Sequence, residues 1–350
     1  MIEQLQQLDD WLKQNLTRWF PKNGRGWQLA GLALLTAGIV TACGGFSPNN
    51  SDSKQYTSSN VKIEQLTRTV QHEMGKTKVP EMPQRIVALG FPALEWLTAM
   101  NVFPVGAPLN EQVLQFLELT DNPQIQNIHD LGNPPPNMER ILNLDPDLIV
   151  GITKYGERIY DQISQIAPTV LFDWEGTRWK ALFQETGQAI GQPEAARQVL
   201  ANYHARLENL RDQLDKSASE LEVSVLRMYP SGQISLRQKG GFAGDILEDA
   251  GLARPPSQQG NSTEQQISKE ALPKADGDIL FIWSYGGDAQ AAKDANQLLA
   301  QLQADPLWSQ LEVVQEGKVY SVGSYWIGSG PIAANLVIDD LFRYLVEEDS

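Results

Sequence analysis

Between Glu194 and Lys216 the chain holds 23 residues without a proline or a glycine. Within them Ala196, Leu200, Tyr203, Leu207, Leu210 and Leu214 recur at steps of three and four. That spacing places all six on one apolar stripe of an α-helix. At 1.5 Å per residue such a helix is roughly 35 Å long, well beyond an ordinary globular helix. A rod of this length with structure on both sides of it predicts a connector running along two lobes.

The segments on either side fit that frame. Before the rod, short β-branched runs alternate with helical periodicity. Arg85–Gly90 reads as a buried strand followed by the helix "PALEWLTAM". "FPVGAP" and "IQNIHDLG" read as further strands. "PPNMERILNLDPDLIVGI" reads as helix, Pro146 break and strand, and "YGERIYDQISQIAPTVLFDW" repeats the order. Strands alternating with helices predict a parallel sheet covered on both faces. After the rod come "VSVLRMY", "QISLRQ" and "DILFIWSY" as strands, "VYSVGSYW" as the last strand, and "PIAANLVIDDLFRYLVE" as a closing amphipathic helix. The fold class is therefore α/β, two Rossmann-like lobes joined by a single long rigid helix.

Composition removes several function classes. With 43 acidic against 28 basic residues the net charge is −15, which disfavours sequence-independent binding to nucleic acid. One cysteine excludes an internal disulfide framework and a cysteine-based zinc ribbon. Three histidines, His72, His129 and His204, are few for a His-rich metal site. There is no Walker loop and no Gly-x-Gly-x-x-Gly fingerprint, and Trp283-Ser284-Tyr285-Gly286 lacks the glycine a nucleophile elbow needs before its serine. The chain reads as a non-enzyme with no cofactor.

The N-terminus reads as a targeting segment. Lys22 and Arg25 precede a mostly apolar run from Trp27 to Ala42, whose 16 residues suit a signal-peptide core better than a membrane-spanning helix. The run ends in Val40-Thr41-Ala42 directly before Cys43. This resembles a bacterial lipobox, in which Cys43 would be acylated and the chain anchored to a membrane by lipid. The alternative is an uncleaved anchor helix with an incidental cysteine. The upstream stretch with Leu5, Leu8, Leu12, Leu16 and Trp19 at helical spacing is either an interfacial helix or sequence ahead of the true start. A Gly-, Ser- and Asn-rich tether follows Cys43. The chain thus divides into a leader (1–42), a tether (43–65), a first lobe (66–192), the connecting helix (193–217) and a second lobe (218–350).

From about residue 66 onward the order of segments resembles the periplasmic binding proteins that serve ABC importers of iron–siderophores and cobalamin. The resemblance is carried by "VQHEMGKTKVPEMPQRIVALG", "NMERILNLDPDLIV", "ISQIAPTV", "GDILEDAGLARP", "ISKEALPKADGDILF", "DPLWSQLEVVQEGKVYSV" and "GPIAANLVIDDL", seven segments in the family's order. It implies a monomeric, exported, lipid-anchored protein of the periplasm. Such a protein binds a ferric siderophore in the cleft between its lobes and delivers it to a permease and its ATPase subunits. It also implies docking to the permease through one glutamate per lobe, here Glu139 and Glu270. Cobalamin and haem remain alternative ligands of the same fold. A cell-envelope scaffold lipoprotein and an exported enzyme are alternatives of another class. The hydroxamate branch of the family carries an arginine in the loop before the docking helix, whereas here Leu131-Gly132-Asn133-Pro134-Pro135-Pro136 has none.

Ligands of open α/β sheets sit beyond the carboxyl ends of the strands. On the first lobe these positions are Phe91, Lys154, Tyr155, Trp174, Arg178 and Trp179, with Lys154 the least informative and Trp174 favoured over Trp179. On the second they are Tyr229, Arg237, Trp283, Tyr285, Tyr325 and Trp326. Two aromatics at one strand end are hard to bury together, which favours Trp283 with Tyr285 and Tyr325 with Trp326. Rings give contact area at low entropy cost, and guanidinium gives planar, charge-assisted hydrogen bonds to carboxylate or catecholate oxygens. Iron would stay within its chelator, without direct metal ligands from the protein.

Overall fold

The computed structural model describes residues 66–116, 122–132, 135–214, 220–285 and 289–347. The leader, Cys43 and the tether lie outside the described residues. An antiparallel hairpin opens the body, β1 (Thr67–His72) with β2 (Gly75–Pro80). There follow β3 (Ile86–Leu89), α1 (Phe91–Ala99), β4 (Gly106–Ala107), β5 (His129–Asp130), α2 (Met138–Asn143), β6 (Leu148–Ile152), α3 (Thr153–Gly156), β7 (Thr169–Phe172) and α4 (Trp179–Ala189). The first sheet runs β5-β4-β3-β6-β7 with all strands parallel. Its central strands β3 and β6 are buried at every residue, as expected of parallel strands covered on both faces.

The rod is α5 (Pro193–Gln213), with proline in its first turn, where the missing N–H costs nothing. Ala196, Leu200, Tyr203, Leu207 and Leu210 are its buried residues, which is the stripe read from sequence. The helix stops at Leu214, whose backbone is extended; residues 215–219 lie outside the described set.

The second lobe contains β8 (Val223–Met228), β9 (Ile234–Arg237), α6 (Phe242–Asp249), β10 (Glu264–Ile267), β11 (Ile279–Ser284), α7 (Ala289–Gln303), β12 (Val319–Ser321) and α8 (Pro331–Phe342). Its sheet runs β10-β9-β8-β11-β12 and is mixed. β8, β11 and β12 are parallel, while β9 pairs antiparallel with both β8 and β10. The five residues between β8 and β9 contain Gly232 at φ 81°, and the Tyr229 N–H donates to the Gln233 carbonyl at 3.0 Å, closing a hairpin. The segment expected as a last strand through Trp326 ends at Ser321. Beyond Gly323 the chain turns into a short 3₁₀ helix, Ser324–Ile327, that carries Tyr325 and Trp326.

One apolar core crosses from lobe to lobe. Leu94, Trp96, Val150 and Phe183 of the first belong to the same cluster as Val225, Phe281, Trp326 and Val337 of the second, with the α5 stripe between them. The opposite face of each sheet has its own smaller core, built from the alternate residues of the same strands.

Two polar clasps reinforce the junction. Glu95 on α1 is fully buried and accepts from the Ser329 hydroxyl at 2.6 Å, the Ser329 N–H at 3.2 Å and the Ala333 N–H at 2.9 Å. These donors stand at the amino end of α8, where a carboxylate also meets the helix dipole. Gly330 is required there, because a Cβ would press on Trp96 at 2.8 Å and on the Glu95 carboxyl carbon at 3.0 Å. The second clasp is Lys180 on α4, which reaches Asp245 at 2.8 Å and Asp249 at 2.5 Å on α6. Burial opposes the Lys180 charge, but its hydrogen bonds and attraction to these two aspartates raise its pKa.

Candidate functional site

On the first lobe, β3 is followed by Gly90, whose φ is 92° and whose missing Cβ leaves room for the Tyr155 ring. Tyr155 comes from α3, directly beyond β6, and is half-buried. Beside it is a cavity of about 620 Å³ lined by Pro135, Thr153, Lys154, Tyr155, Glu157 and Arg158 among others. The Lys154 ammonium lies 5.6 Å from the Tyr155 ring centroid. Phe91 and Trp174 are partly buried against the shared core, and Trp174 sits 6.3 Å from Trp96. Trp179 is fully buried and donates to Asp245 at 2.8 Å, so it is the packing residue of its pair.

On the second lobe, Arg227 of β8 is the centre of an aromatic group. Its guanidinium lies 3.8 Å from the Tyr229 ring centroid, 4.8 Å from Trp283 and 5.8 Å from Tyr285, within cation–π range of all three. It donates to the Tyr229 hydroxyl at 3.0 Å. Arg237 at the end of β9 is 3 % exposed and ion-paired with Glu264. Glu264 also accepts from Tyr229 and from the Ser235 hydroxyl. Burial works against its charge, but these donors and the arginines hold its pKa below the usual carboxylate range. Burial lowers the Arg227 pKa, and the Arg237 charge adds to that.

Tyr155 and Tyr285 are half-buried, one in each lobe. Burial raises the Tyr155 phenol, and the Tyr285 phenol of the other lobe raises it further. Tyr285 is itself raised by burial, partly offset by the Arg227 charge.

Several expected wall residues sit elsewhere. Trp326 is fully buried, 4.6 Å from Phe281, with its indole N–H on Asp340 at 2.8 Å. It is a core residue, because the turn after Gly323 sends it inward. Trp283 is 1 % exposed; it lies one strand period behind Tyr285 on the same face and forms the floor beneath Arg227. The pairs of aromatics are thus each split, one ring buried and one partly exposed. The Tyr325 hydroxyl is bound to Asp340 at 2.9 Å within its own lobe. Arg178 pairs with Glu185 at 3.5 Å near the surface of the first lobe. Glu139 and Glu270 are both exposed, Glu139 in the first turn of α2 and Glu270 in the first turn of a 3₁₀ segment, Lys269–Ala275. Arg227 is absent from the sequence-derived set although an arginine inside the buried run "VSVLRMY" signals it. Arg254 and Arg158 carry no comparable signal.

Two α/β lobes on a long helix, with aromatic and cationic side chains at their strand ends, are the architecture of a two-lobed solute-binding protein. A profile described as "Periplasmic binding protein" matches residues 117–325. The chain belongs to the periplasmic binding protein family of iron–siderophore and cobalamin ABC importers. It is similar to the probable siderophore-binding lipoprotein YfiY of Bacillus subtilis (strain 168), with 31 % identity over 326 residues, 90 % of this chain and 96 % of that protein. It is also similar to the achromobactin-binding periplasmic protein of Dickeya dadantii (strain 3937), with 28 % identity covering 75 % of this chain and 86 % of that protein. Among solved structures, Staphylococcus aureus SirA complexed with staphyloferrin B has a TM-score of 0.69 and 28 % identity, covering 80 % of this chain and 98 % of that one.

Proposed function

We propose that this chain is a lipid-anchored solute-binding protein that captures a ferric siderophore between its lobes and delivers it to an ABC permease. ATP is hydrolysed on other subunits, and the chain performs no chemistry on its cargo. Family membership and the named binding roles of its relatives support this reading. The observation that carries it is Arg227, buried in the second lobe and within cation–π range of Tyr229, Trp283 and Tyr285. Tyr155 and Trp174 would face the chelate from one side, and Tyr229, Tyr285, Arg227 and Arg237 from the other. The metal stays inside its chelator. Residues 1–42 act as a removed leader, Cys43 as the lipid-bearing residue, and 43–65 as a tether holding the lobes off the membrane of an exported compartment. Glu139 and Glu270 are the permease-docking carboxylates.

The test is a tryptophan-fluorescence titration of the intact chain with iron chelates, haem and cobalamin. Saturable quenching by an iron chelate is expected, with Trp283 as the reporter beneath Arg227. Arg227→Gln should weaken it by about 10- to 100-fold, the worth of hydrogen bonds to a charged group. Saturation by cobalamin or haem alone, or by nothing, overturns the siderophore reading.

A further inference from the structure

Glu95 stands where the first lobe touches the second, and no other carboxyl group among the described residues is as deeply buried. Trp96, the next residue of α1, is fully buried too. Together they hold one residue of the second lobe. Glu95 accepts the Ser329 hydroxyl and N–H through Oε2 and the Ala333 N–H through Oε1. Trp96 Nε1 donates to the Ser329 carbonyl at 2.7 Å. The N–H, the hydroxyl and the carbonyl of Ser329 are thus all bound by α1.

This contact leads to the cleft on both sides. Trp96 lies 6.3 Å from Trp174, the partly buried ring of the first lobe. Ser329 follows the 3₁₀ helix Ser324–Ile327, which carries Tyr325, and it precedes α8. A shift of Ser329 therefore reaches Trp174 through Trp96 and Tyr325 through the chain.

A proton changes what the contact can hold. The ionised carboxylate accepts all three donors, in bonds roughly twice as strong as neutral ones. A protonated carboxyl must instead place its own hydrogen on an acceptor. Backbone N–H groups cannot reverse, so only the Ser329 hydroxyl can turn to accept it. Ser329 is 2 % exposed, and among the described residues its hydroxyl has no second acceptor. The reversed bond leaves that hydroxyl proton unmet, and Ser329 is held less firmly.

The charged groups around the contact are engaged elsewhere. α1 carries no second charged residue, and neither do β3 and β6, which pack on it. On α4, Lys180 is held by Asp245 and Asp249, and Glu185 by Arg178. On α8, Asp339 pairs with Arg206, and Asp340 accepts from Tyr325 and Trp326. Beside Trp174, Asp173 accepts from Thr153 and Glu175 is exposed. Burial raises the Glu95 pKa to about 7, against the pull of its donors.

Resting on the binding role proposed above, we infer that Glu95 is a positioning residue that couples cargo affinity to pH. It touches no cargo. Ionised, it fixes Ser329, and with it Trp174 and Tyr325, so cargo binds tightly. Protonated, it loosens them and cargo is held less well. Such coupling is reciprocal, so cargo binding expels the Glu95 proton.

The experiment titrates the intact chain, Glu95→Gln and Ser329→Ala with ferric citrate, a ferric tris-catecholate and ferrichrome between pH 6 and pH 8, on either side of the Glu95 pKa of about 7. For one chelate, the quotient of the unaltered and Glu95→Gln affinities cancels the titration of the chelate and of every other group. That quotient is expected to rise about 5- to 10-fold from pH 6 to pH 8, a modest coupling between sites. Calorimetry in buffers of different protonation enthalpy should show more proton release on binding at pH 7 in the unaltered chain than in Glu95→Gln. Ser329→Ala takes a donor from the carboxylate, raises its pKa and should move the midpoint of the affinity rise to higher pH. If Glu95→Gln does not fold, that displacement decides. A quotient that stays constant, or a midpoint that Ser329→Ala leaves in place, overturns the coupling and leaves the siderophore reading standing. Binding of none of the three chelates removes that reading and this inference with it.

Discussion

Glu95 sits in the core with its carboxylate turned into a ring of donors, and burial pushes its pKa up from 4.5 to about 7 against their pull. The folded protein therefore holds this proton to higher pH than the unfolded chain does. The resulting stability is fully present below pH 4.5 and is lost as pH rises to about 7. By linkage it amounts to roughly 3 kcal/mol. The melting temperature is expected to fall between pH 5 and 8, and to fall less in Glu95→Gln, which cannot ionise. Equal pH slopes in the two proteins would refute the assignment. Glu95→Ala strands the α8 donors and should cost on the order of 3 kcal/mol at pH 5, and less as the pH rises toward 7 and the native protein loses its own Glu95 contribution. Legibility at this scale is uneven. Tyr155, Tyr229, Tyr285 and Arg237 follow from their places after strands, while Arg227 lies inside one and is missed by looking only beyond strand ends. Glu95 gives no sequence signal, since a glutamate in "PALEWLTAM" reads as the polar face of an amphipathic helix until α8 arrives from the other lobe.

Elements were more legible than the side chains they carry. The α5 stripe and the central strands of the first lobe correspond to the sequence pattern, because hydrophobic period decides them locally, while the strands expected in "FPVGAP" and "IQNIHDLG" shrink to Gly106–Ala107 and His129–Asp130. The second sheet is mixed, unlike the first. The Pro230-Ser231-Gly232 turn between "VSVLRMY" and "QISLRQ" is a hairpin signal, and it makes β9 antiparallel. The last strand is shorter than expected. It ends at Ser321, and Trp326, carried on the 3₁₀ turn that follows Gly323, goes into the core rather than the cleft. Trp326→Ala is accordingly expected to cost about 3–5 kcal/mol of stability, as large aromatic truncations in cores do. Chemical unfolding measures this. A Trp326→Phe variant that keeps Phe281 packed should bind cargo with unchanged affinity, and a tenfold loss of affinity in it would return Trp326 to the cleft wall.

For the whole molecule, the decisive property is that the lobes share one core. The rod alone would be stiff, yet the continuous apolar cluster, the Glu95 contact with α8 and the Lys180 contact with α6 fix the lobes at three further levels. Cleft width is then set by folding, and the binding role proposed above would leave ligand capture to ring and guanidinium movements within it. Radii of gyration from X-ray scattering with and without cargo should agree within about 1 Å, the range of preorganised binders. Rigidity also matters for delivery. Glu139 and Glu270 are exposed, one in each lobe, and Glu270 is held below the usual carboxylate range by its own backbone N–H and Ser268. If the lobes do not swing, the spacing of these two charges is constant, and a permease can recognise them together as one pattern. Removing either charge should weaken docking, and removing both should abolish it, because two linked contacts gain from their shared effective concentration. Glu139→Ala, Glu270→Ala and the double variant are therefore expected to bind cargo with unaltered Kd while iron uptake through the permease drops stepwise. Neither residue belongs to the cleft, so a changed Kd in the single variants would place the glutamates in ligand binding, and undiminished uptake by the double variant would exclude them from docking.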